Sequence, residues 1–150
     1  MSDFLVEAMQ IEDLAEVLDV EGGGGAAWTR QQFVEELQAV HGFQFVARAA
    51  RSQRVMAFAC GRLCGSEAEI LKLAVALPWR RRGMGSGLLL HVLAHCRQEG
   101  VADCFLEVRA SNVAARVLYE KYGFTEAGLR RSYYVSPRED AVLMRMRLTR

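Results

Sequence analysis

The chain has no apolar run approaching the roughly 18 residues that a membrane span requires. Its first residues, MSDFLVEAMQ, lack the basic n-region and apolar h-region of a secretory leader. A soluble, cytoplasmic protein with no membrane partner is therefore expected. It also lacks any C-x-x-C pair: Cys60, Cys64, Cys96 and Cys104 are scattered, the first two lying four apart in a strand-like run. That spacing favours buried, reduced thiols over metal ligands or disulfides. Internal repeats, low-complexity tracts and dividing linkers are missing too. The 150 residues, 51% hydrophobic and 25% charged, then read as one domain over 1–150 with a proper core.

The most informative stretch that is present runs from Ile70 to Leu90, ILKLAVALPWRRRGMGSGLLL. A strand pattern meets a proline, three arginines and a glycine loop, then becomes a Leu-rich helical pattern. The free N–H groups of a first helical turn, at the positive end of the helix dipole, bind anions. A mononucleotide P-loop would need a lysine and a hydroxyl after its last glycine, whereas Leu88 and Leu89 follow Gly87. A dinucleotide fingerprint would need a third glycine where Leu88 stands, early in the chain. What remains is R-x-x-G-x-G, Arg80 to Gly85, either a backbone-and-arginine cradle for a pyrophosphate or a solvated basic turn.

Charge is unevenly distributed. Residues 1–40 hold nine carboxylates against Arg30 alone, a net of −8, which leaves +9 for residues 41–150. Such a field can steer a cationic substrate to one section and an anionic one to the other. Two surface helices with acidic outer faces explain it as well.

Periodicity gives the order β-α-α-β-β-β-α-β-α-β-β. Phe4–Met9 reads as a strand, and Ile11, Leu14, Val17 and Leu18 as a helix stripe ended by Gly22 to Gly25. Thr29 is an N-cap for a helix bearing Phe33, Leu37 and Val40, ended at His41-Gly42. Phe43–Ala49, Val55–Leu63 and Glu69–Leu77 form a meander, and a long helix follows from Gly83 to about Glu99. Cys104–Arg109 is the next strand. Ser111 or Asn112 then opens a helix with Val117, Leu118 and Tyr122 inward. Thr125–Tyr134 and Ala141–Leu148 close the chain through a turn at Ser136-Pro137-Arg138-Glu139. An α/β or α+β domain on a single mixed sheet is expected.

This order, with R-x-x-G-x-G opening the central helix, resembles the GNAT superfamily of acyl-coenzyme A-dependent N-acetyltransferases, over nearly the whole chain. The segments LEVRASN (106–112), LYEKYGF (118–124), RRSYY (130–134) and EDA (139–141) are similar to the RimI group. Its members acetylate the N-terminal alanine of a small-subunit ribosomal protein. The resemblance implies a GNAT fold, mostly antiparallel with flanking helices, acetyl-coenzyme A as cosubstrate, and a protein N-terminus as acceptor, with no metal. It puts the pyrophosphate on the amides of Arg81, Arg82, Gly83, Met84, Gly85 and Ser86, with Arg80 to Arg82 supplying charge. It lays the pantetheine arm along Leu73, Ala74 and Val75, where an N–H near Val75 polarises the thioester. Transfer is direct, so no cysteine nucleophile is needed.

Glu107 matches the group's general base. On its own evidence it is a carboxylate on an interior strand, sharing a face with Phe105 and Arg109. That position is costly unless the group is paired, for instance with Arg109, or used. Tyr119 matches the general acid, or is a core tyrosine. Asn112 caps a helix, holds the cofactor, or both. Trp28, Thr29, Tyr133 and Tyr134 correspond to the peptide groove, or to core. One departure stands out: Gly22 to Gly25 and Ala26-Ala27 precede Trp28 where the group often has a bulky residue and proline.

Other readings use the same residues: a small-amine acetyltransferase, a non-catalytic coenzyme A-binding module, and RNA contact through Arg80 to Arg82. The last ranks lowest for want of an aromatic stacking platform. His91 and His95 have ligand spacing, but the H-E-x-x-H pattern is incomplete and a solvated or half-buried pair is expected.

Overall fold

The computed structural model describes residues 3–22, 27–135 and 137–148. Its elements are β1 (Phe4–Ala8), a 3-10 turn (Ile11–Asp13), α1 (Leu14–Glu21), α2 (Arg30–Gln38), β2 (Gly42–Ala49), β3 (Val55–Cys64) and β4 (Glu67–Val75). A second 3-10 turn (Leu77–Trp79) leads into α3 (Met84–Gln98), β5 (Asp103–Arg109), α4 (Val113–Lys121), β6 (Thr125–Val135) and β7 (Arg138–Arg147). The order is the expected one. The glycines from Gly23 to Gly25, Ala26 and Ser136 of the expected closing turn lie outside the described residues.

One seven-stranded sheet, ordered β1-β2-β3-β4-β5-β7-β6, organises the molecule. Every pairing is antiparallel except β4 with β5. Alternation along the strands divides the core into two clusters. Ala57 and Ala59 of β3 belong with Leu88, Leu89, Val92, Leu93 and Cys96 of α3 and Tyr119 of α4. Phe58 and Cys60 belong with Leu14 and Val17 of α1 and Phe33 of α2. The small alanines let α3 lie close over the sheet, while the large residues fill the opposite side. Each fully buried Leu or Phe of these clusters contributes on the order of 2 kcal/mol.

Several boundaries differ from expectation for physical reasons. α2 ends at Gln38, with Ala39 already extended, so Val40 lies in the following turn, 88% exposed. On α4 the inward face is Ala115, Leu118, Tyr119 and Tyr122, and Val117 points outward, 59% exposed. β4 stops at Val75, because Pro78 and a 3-10 turn take over and leave Leu77 exposed. Arg138 and Glu139 are not turn residues: they pair with Val135 and Tyr134 inside the β6–β7 hairpin. Cys60, Cys96 and Cys104 are buried free thiols, but Cys64, at the end of β3, is exposed.

The charge imbalance resolves into ion pairs from the first 3-10 turn, α1 and α2 to strands β2, β3 and β4 and the turn before β3. Asp13 pairs with Arg48 at 2.6 Å, Asp19 with Arg54 at 3.0 Å, Glu36 with Arg62 at 2.7 Å and Glu21 with Lys72 at 2.5 Å. Purely outward acidic faces do not describe this arrangement. The carboxylates of the first section knit it to the sheet. His91 and His95 pack against Phe45, with ring centroids 4.6 and 5.4 Å away; His91 is exposed and His95 half-buried. Among the described residues no group of three metal-ligating side chains forms, and no helix is long and apolar enough to cross a membrane.

Candidate active site

The site begins with a break in the sheet. β4 and β5 pair over four residues only, Glu67–Ile70 against Asp103–Leu106. On its other side β4 shifts register between Cys60 and Gly61: Lys72 faces Cys60 while Ile70 faces Gly61, so Leu71 is an extra residue. Such a bulge bends its strand, and this one sits where pairing with β5 stops. Gly61 is required there, because a Cβ would overlap the Phe43 ring and come within 2.5 Å of the Glu69 carbonyl oxygen.

A cleft of about 630 Å³ opens in the gap. β4 contributes Leu71 to Leu73, β5 contributes Leu106 to Arg109, and the start of α4 contributes Asn112, Ala115 and Tyr119. Trp28 and the β6 residues Tyr133 and Tyr134 close it from above. Seven expected site residues therefore meet around one space: Trp28, Leu73, Glu107, Asn112, Tyr119, Tyr133 and Tyr134.

Glu107 is the cleft's half-buried carboxylate, its side chain 13% exposed. Its partner is not Arg109 but Arg130 of β6, whose Nη2 lies 3.2 Å from Oε1. The other oxygen, Oε2, is buried with no hydrogen-bond partner among the described residues. A desolvated carboxylate oxygen left this way is costly and calls for a reason. Arg109 is engaged elsewhere. It lies 3.4 Å from Glu139, donates to the Pro137 carbonyl at 3.2 Å and stacks 4.2 Å from the Tyr134 ring. Glu139 in turn accepts the Ser111 N–H at 2.5 Å, and the Ser111 bond, then Arg109, holds its carboxyl below the usual range. This clamp ties the hairpin to the entrance of α4 and sets Tyr134 over the cleft.

Tyr119 is 6% exposed and packs edge-on against Phe124 at 5.7 Å. Burial, with Tyr134 and Cys104 adding, pushes its phenol up to about 12. Burial and the nearby Glu107 raise Tyr134 as well. Asn112 caps α4 by accepting the Ala115 N–H at 3.2 Å while also lining the cleft. Thr29 caps α2, accepting from the Gln32 N–H at 3.2 Å, and does not line the cleft.

The glycine loop adjoins the same gap. Gly83, in the left-handed region with φ of 83°, caps α3. The first-turn amides of Met84, Gly85 and Ser86 are then donors that the helix cannot satisfy. A Cβ on Gly85 would touch both Val75 and Leu118 at 3.5 Å, which seats the helix start between β4 and α4. Ala74, Val75 and the 80–86 loop lie beyond the cleft lining. The arginines are less free than their sequence suggests. Arg80 donates to the Val75 carbonyl at 2.9 Å, and Arg82 lies 3.6 Å from Asp3 and 4.0 Å over Trp79. An open strand edge leading to unpaired amides suits a ligand with an extended amide-bearing arm and an anionic end, which is the chemistry of a coenzyme A thioester.

Two residues beneath the site escaped sequence reasoning. Glu21 accepts from Lys72 and, at 2.8 Å, from the Trp28 N–H, holding Trp28 at the cleft wall. Arg130 was visible only as part of the RRSYY segment. Nothing local marks either contact, since Glu21 and Lys72 are 51 positions apart and Arg130 and Glu107 meet across a strand.

Residues 9–124 match the model of the Acetyltransferase (GNAT) family. The [ribosomal protein bS18]-alanine N-acetyltransferase of Escherichia coli K12 is 44% identical over 93 residues, a match spanning 61% of this chain and 63% of that protein. The crystal structure of the ribosomal-protein-S18-alanine N-acetyltransferase from Escherichia coli superimposes with a TM-score of 0.87 and 33% identity, covering 98% of this chain and 95% of that one. Ard1 from Thermoplasma volcanium superimposes with a TM-score of 0.88 and 26% identity, covering 99% and 100%.

Proposed function

Because the chain belongs to the GNAT acetyltransferase family, we propose that it is a cytoplasmic N-α-acetyltransferase. Acting as one domain over 1–150, it moves acetyl from acetyl-coenzyme A to the N-terminal amine, an alanine, of a small-subunit ribosomal protein. The Escherichia coli relatives, named for that reaction, support the acceptor. The observation that carries the chemistry is the free, buried Oε2 of Glu107 in the gap between β4 and β5.

Bound acetyl-coenzyme A supplies the activated thioester. Amides of Arg81 to Ser86 hold its anionic end, Leu73 to Val75 offer an unpaired edge to its arm, and an N–H near Val75 polarises the carbonyl. A protein α-amino group has a pKa of about 7.7 to 8.0, so roughly a tenth is already neutral at pH 7. Glu107 Oε2, directly or through one water, accepts the proton the amine loses as its nitrogen bonds to the acyl carbon. Tyr119 donates a hydrogen bond to the sulfur as the C–S bond breaks. Trp28, Tyr133 and Tyr134 flank the entering chain, and Asn112 helps hold the cofactor arm. Thr29 serves this surface by capping α2.

The test is thiol release from acetyl-coenzyme A with peptides beginning in alanine, set against free amino acids and polyamines. Peptide turnover that falls about a hundredfold in Glu107→Gln is expected, the size of a lost general base. Turnover of free amines alone moves the protein to a small-amine acetyltransferase. No thiol release above the Glu107→Gln and Tyr119→Phe background makes it a binding module. Either result overturns the proposal.

A further inference from the structure

Arg130 reaches Glu107 from an unexpected distance. Glu107 lies on β5 and Arg130 on β6, with β7 between them. Neighbouring strands are spaced about 4.8 Å apart, so the two backbones are nearly 10 Å apart. Arg130 is paired with Ala141, Ala141 with Arg109, and Leu143 with Glu107. Directly paired residues share a sheet face, so Arg130, Ala141 and Glu107 all lie on the side that opens into the cleft. An arginine can cross β7 there because the residue under its arm is an alanine, and Ala141 is fully covered.

The backbone fixes the starting point of that arm. Regular pairing of β6 with β7 breaks immediately after Arg130 and resumes at Tyr134. Within the break, Ser132 takes φ of 51° and donates its N–H to Asp140 at 2.7 Å. Arg130 is therefore the last regularly paired residue before the strand bends over the cleft. Its guanidinium lies 5.1 Å from the Tyr133 ring on the way to Glu107.

Stability does not account for this contact. The Arg130 side chain is 58% exposed, and an ion pair with so exposed a partner contributes little. Its consequence is directional. One carboxylate oxygen is bound and the other is buried without a partner among the described residues. We infer that Arg130 is a positioning residue: by holding Oε1 of Glu107 it fixes the carboxylate's rotation and directs Oε2 at the acceptor amine. The inference rests on the acetyl-transfer reading above, in which Oε2 takes the amine proton.

The experiment compares wild type, Arg130→Ala, Arg130→Lys and Glu107→Gln with an alanine-initial peptide and acetyl-coenzyme A, reading kcat and peptide KM separately. Arg130→Ala is expected to lower kcat by about 10- to 100-fold, the scale of a misplaced catalytic group. Peptide KM should change little, and the melting temperature should stay at the wild-type value. Arg130→Lys should fall between the two. Guanidinium ion at low, non-denaturing concentration should restore part of the kcat of Arg130→Ala and none of that of Glu107→Gln. A wild-type or higher kcat in Arg130→Ala, which would make Arg130 a displaceable plug, overturns the inference. So does a loss confined to KM, or the absence of guanidinium rescue. If wild type turns over peptide in a Glu107-dependent way while Arg130→Ala is indifferent, only the Arg130 inference fails. If wild type turns over no peptide, the acetyl-transfer reading fails and takes this inference with it.

Discussion

The Glu21 carboxylate joins three parts of the molecule, and removing it should unfasten them together. It closes α1, is 7% exposed, and accepts on one oxygen from Lys72 Nζ at 2.5 Å and from the Trp28 N–H at 2.8 Å. Truncating one member of a buried ion pair costs about 3–5 kcal/mol. The loss of a charged acceptor by a backbone N–H adds about 1.5–3 kcal/mol when that amide cannot turn to water. Two features pull the total down. Lys72 lines the cleft, where water reaches it. The Trp28 amide lies in a connecting segment, where solvent can replace the lost acceptor. Glu21→Ala should therefore cost about 3 kcal/mol, at the lower end of the buried-pair range. At about 2–4 °C per kcal/mol for a chain of this size, the melting temperature should fall by roughly 6–12 °C.

Scanning calorimetry and urea titration of Glu21→Ala, Glu21→Leu, Lys72→Met and the Glu21→Leu, Lys72→Met double variant measure this. Replacing both partners with apolar groups should recover part of the loss, giving a coupling of about 1 kcal/mol or more. Because Glu21 also holds Trp28 at the cleft wall, peptide KM in Glu21→Ala should rise while the KM for acetyl-coenzyme A does not. A melting temperature within 2 °C of wild type, on the scale of about one kcal/mol or less, refutes the reasoning. Strictly additive effects in the double variant refute it equally.

Gly61→Ala should destabilise by about 2–3 kcal/mol or more, the cost of overpacking, because its Cβ meets the Phe43 ring and the Glu69 carbonyl oxygen. Urea titration checks this, and a change below about half a kcal/mol, the ordinary surface value, excludes it. Glu139→Gln should show a pH-dependent deficit. The Glu139 carboxyl is held below its usual range, first by Ser111 and then by Arg109, so it stabilises the folded state above the unfolded value of about 4.3. The difference in melting temperature between wild type and Glu139→Gln should thus be complete at neutral pH and vanish as pH falls through the lower folded value. A difference that grows on acidification contradicts the assignment.

Much of the fold was legible because the relevant forces are local. Thr29 with Gln32, and Asn112 with Ala115, are caps made within three residues, so their spelling is their structure. The errors fell where tertiary packing decides. Val40 extends the apolar stripe of α2 by arithmetic, but the chain turns at Ala39 to enter β2. Val117 fits a helical period, yet α4 docks through Leu118, Tyr119 and Tyr122. The break between β4 and β5 has no spelling in either strand. It follows from an extra residue at Leu71, accommodated by a glycine on the neighbouring strand. For the same reason Glu107 was recognisable as a carboxylate on an interior strand, while its partner was not. Arg109 is two residues away in sequence, whereas Arg130 is adjacent only after β7 has been laid between the two strands.

In the proposed reaction, the tyrosine and the carboxylate then have unequal tasks. A phenol at about 12 holds its proton throughout the working range. Handing that proton to a thiolate with a cysteine-like pKa of about 8.5 is uphill. In that proposal Tyr119 acts by donating a hydrogen bond to the developing sulfur charge. Its burial serves that purpose, because a hydrogen bond to an anion strengthens where water is excluded. Glu107 faces the opposite demand. It must accept a proton from an amine that is partly neutral already, so it needs a free oxygen and a fixed direction more than unusual basicity. A carboxylate with one oxygen tethered to an exposed arginine and the other buried without a partner among the described residues meets that demand.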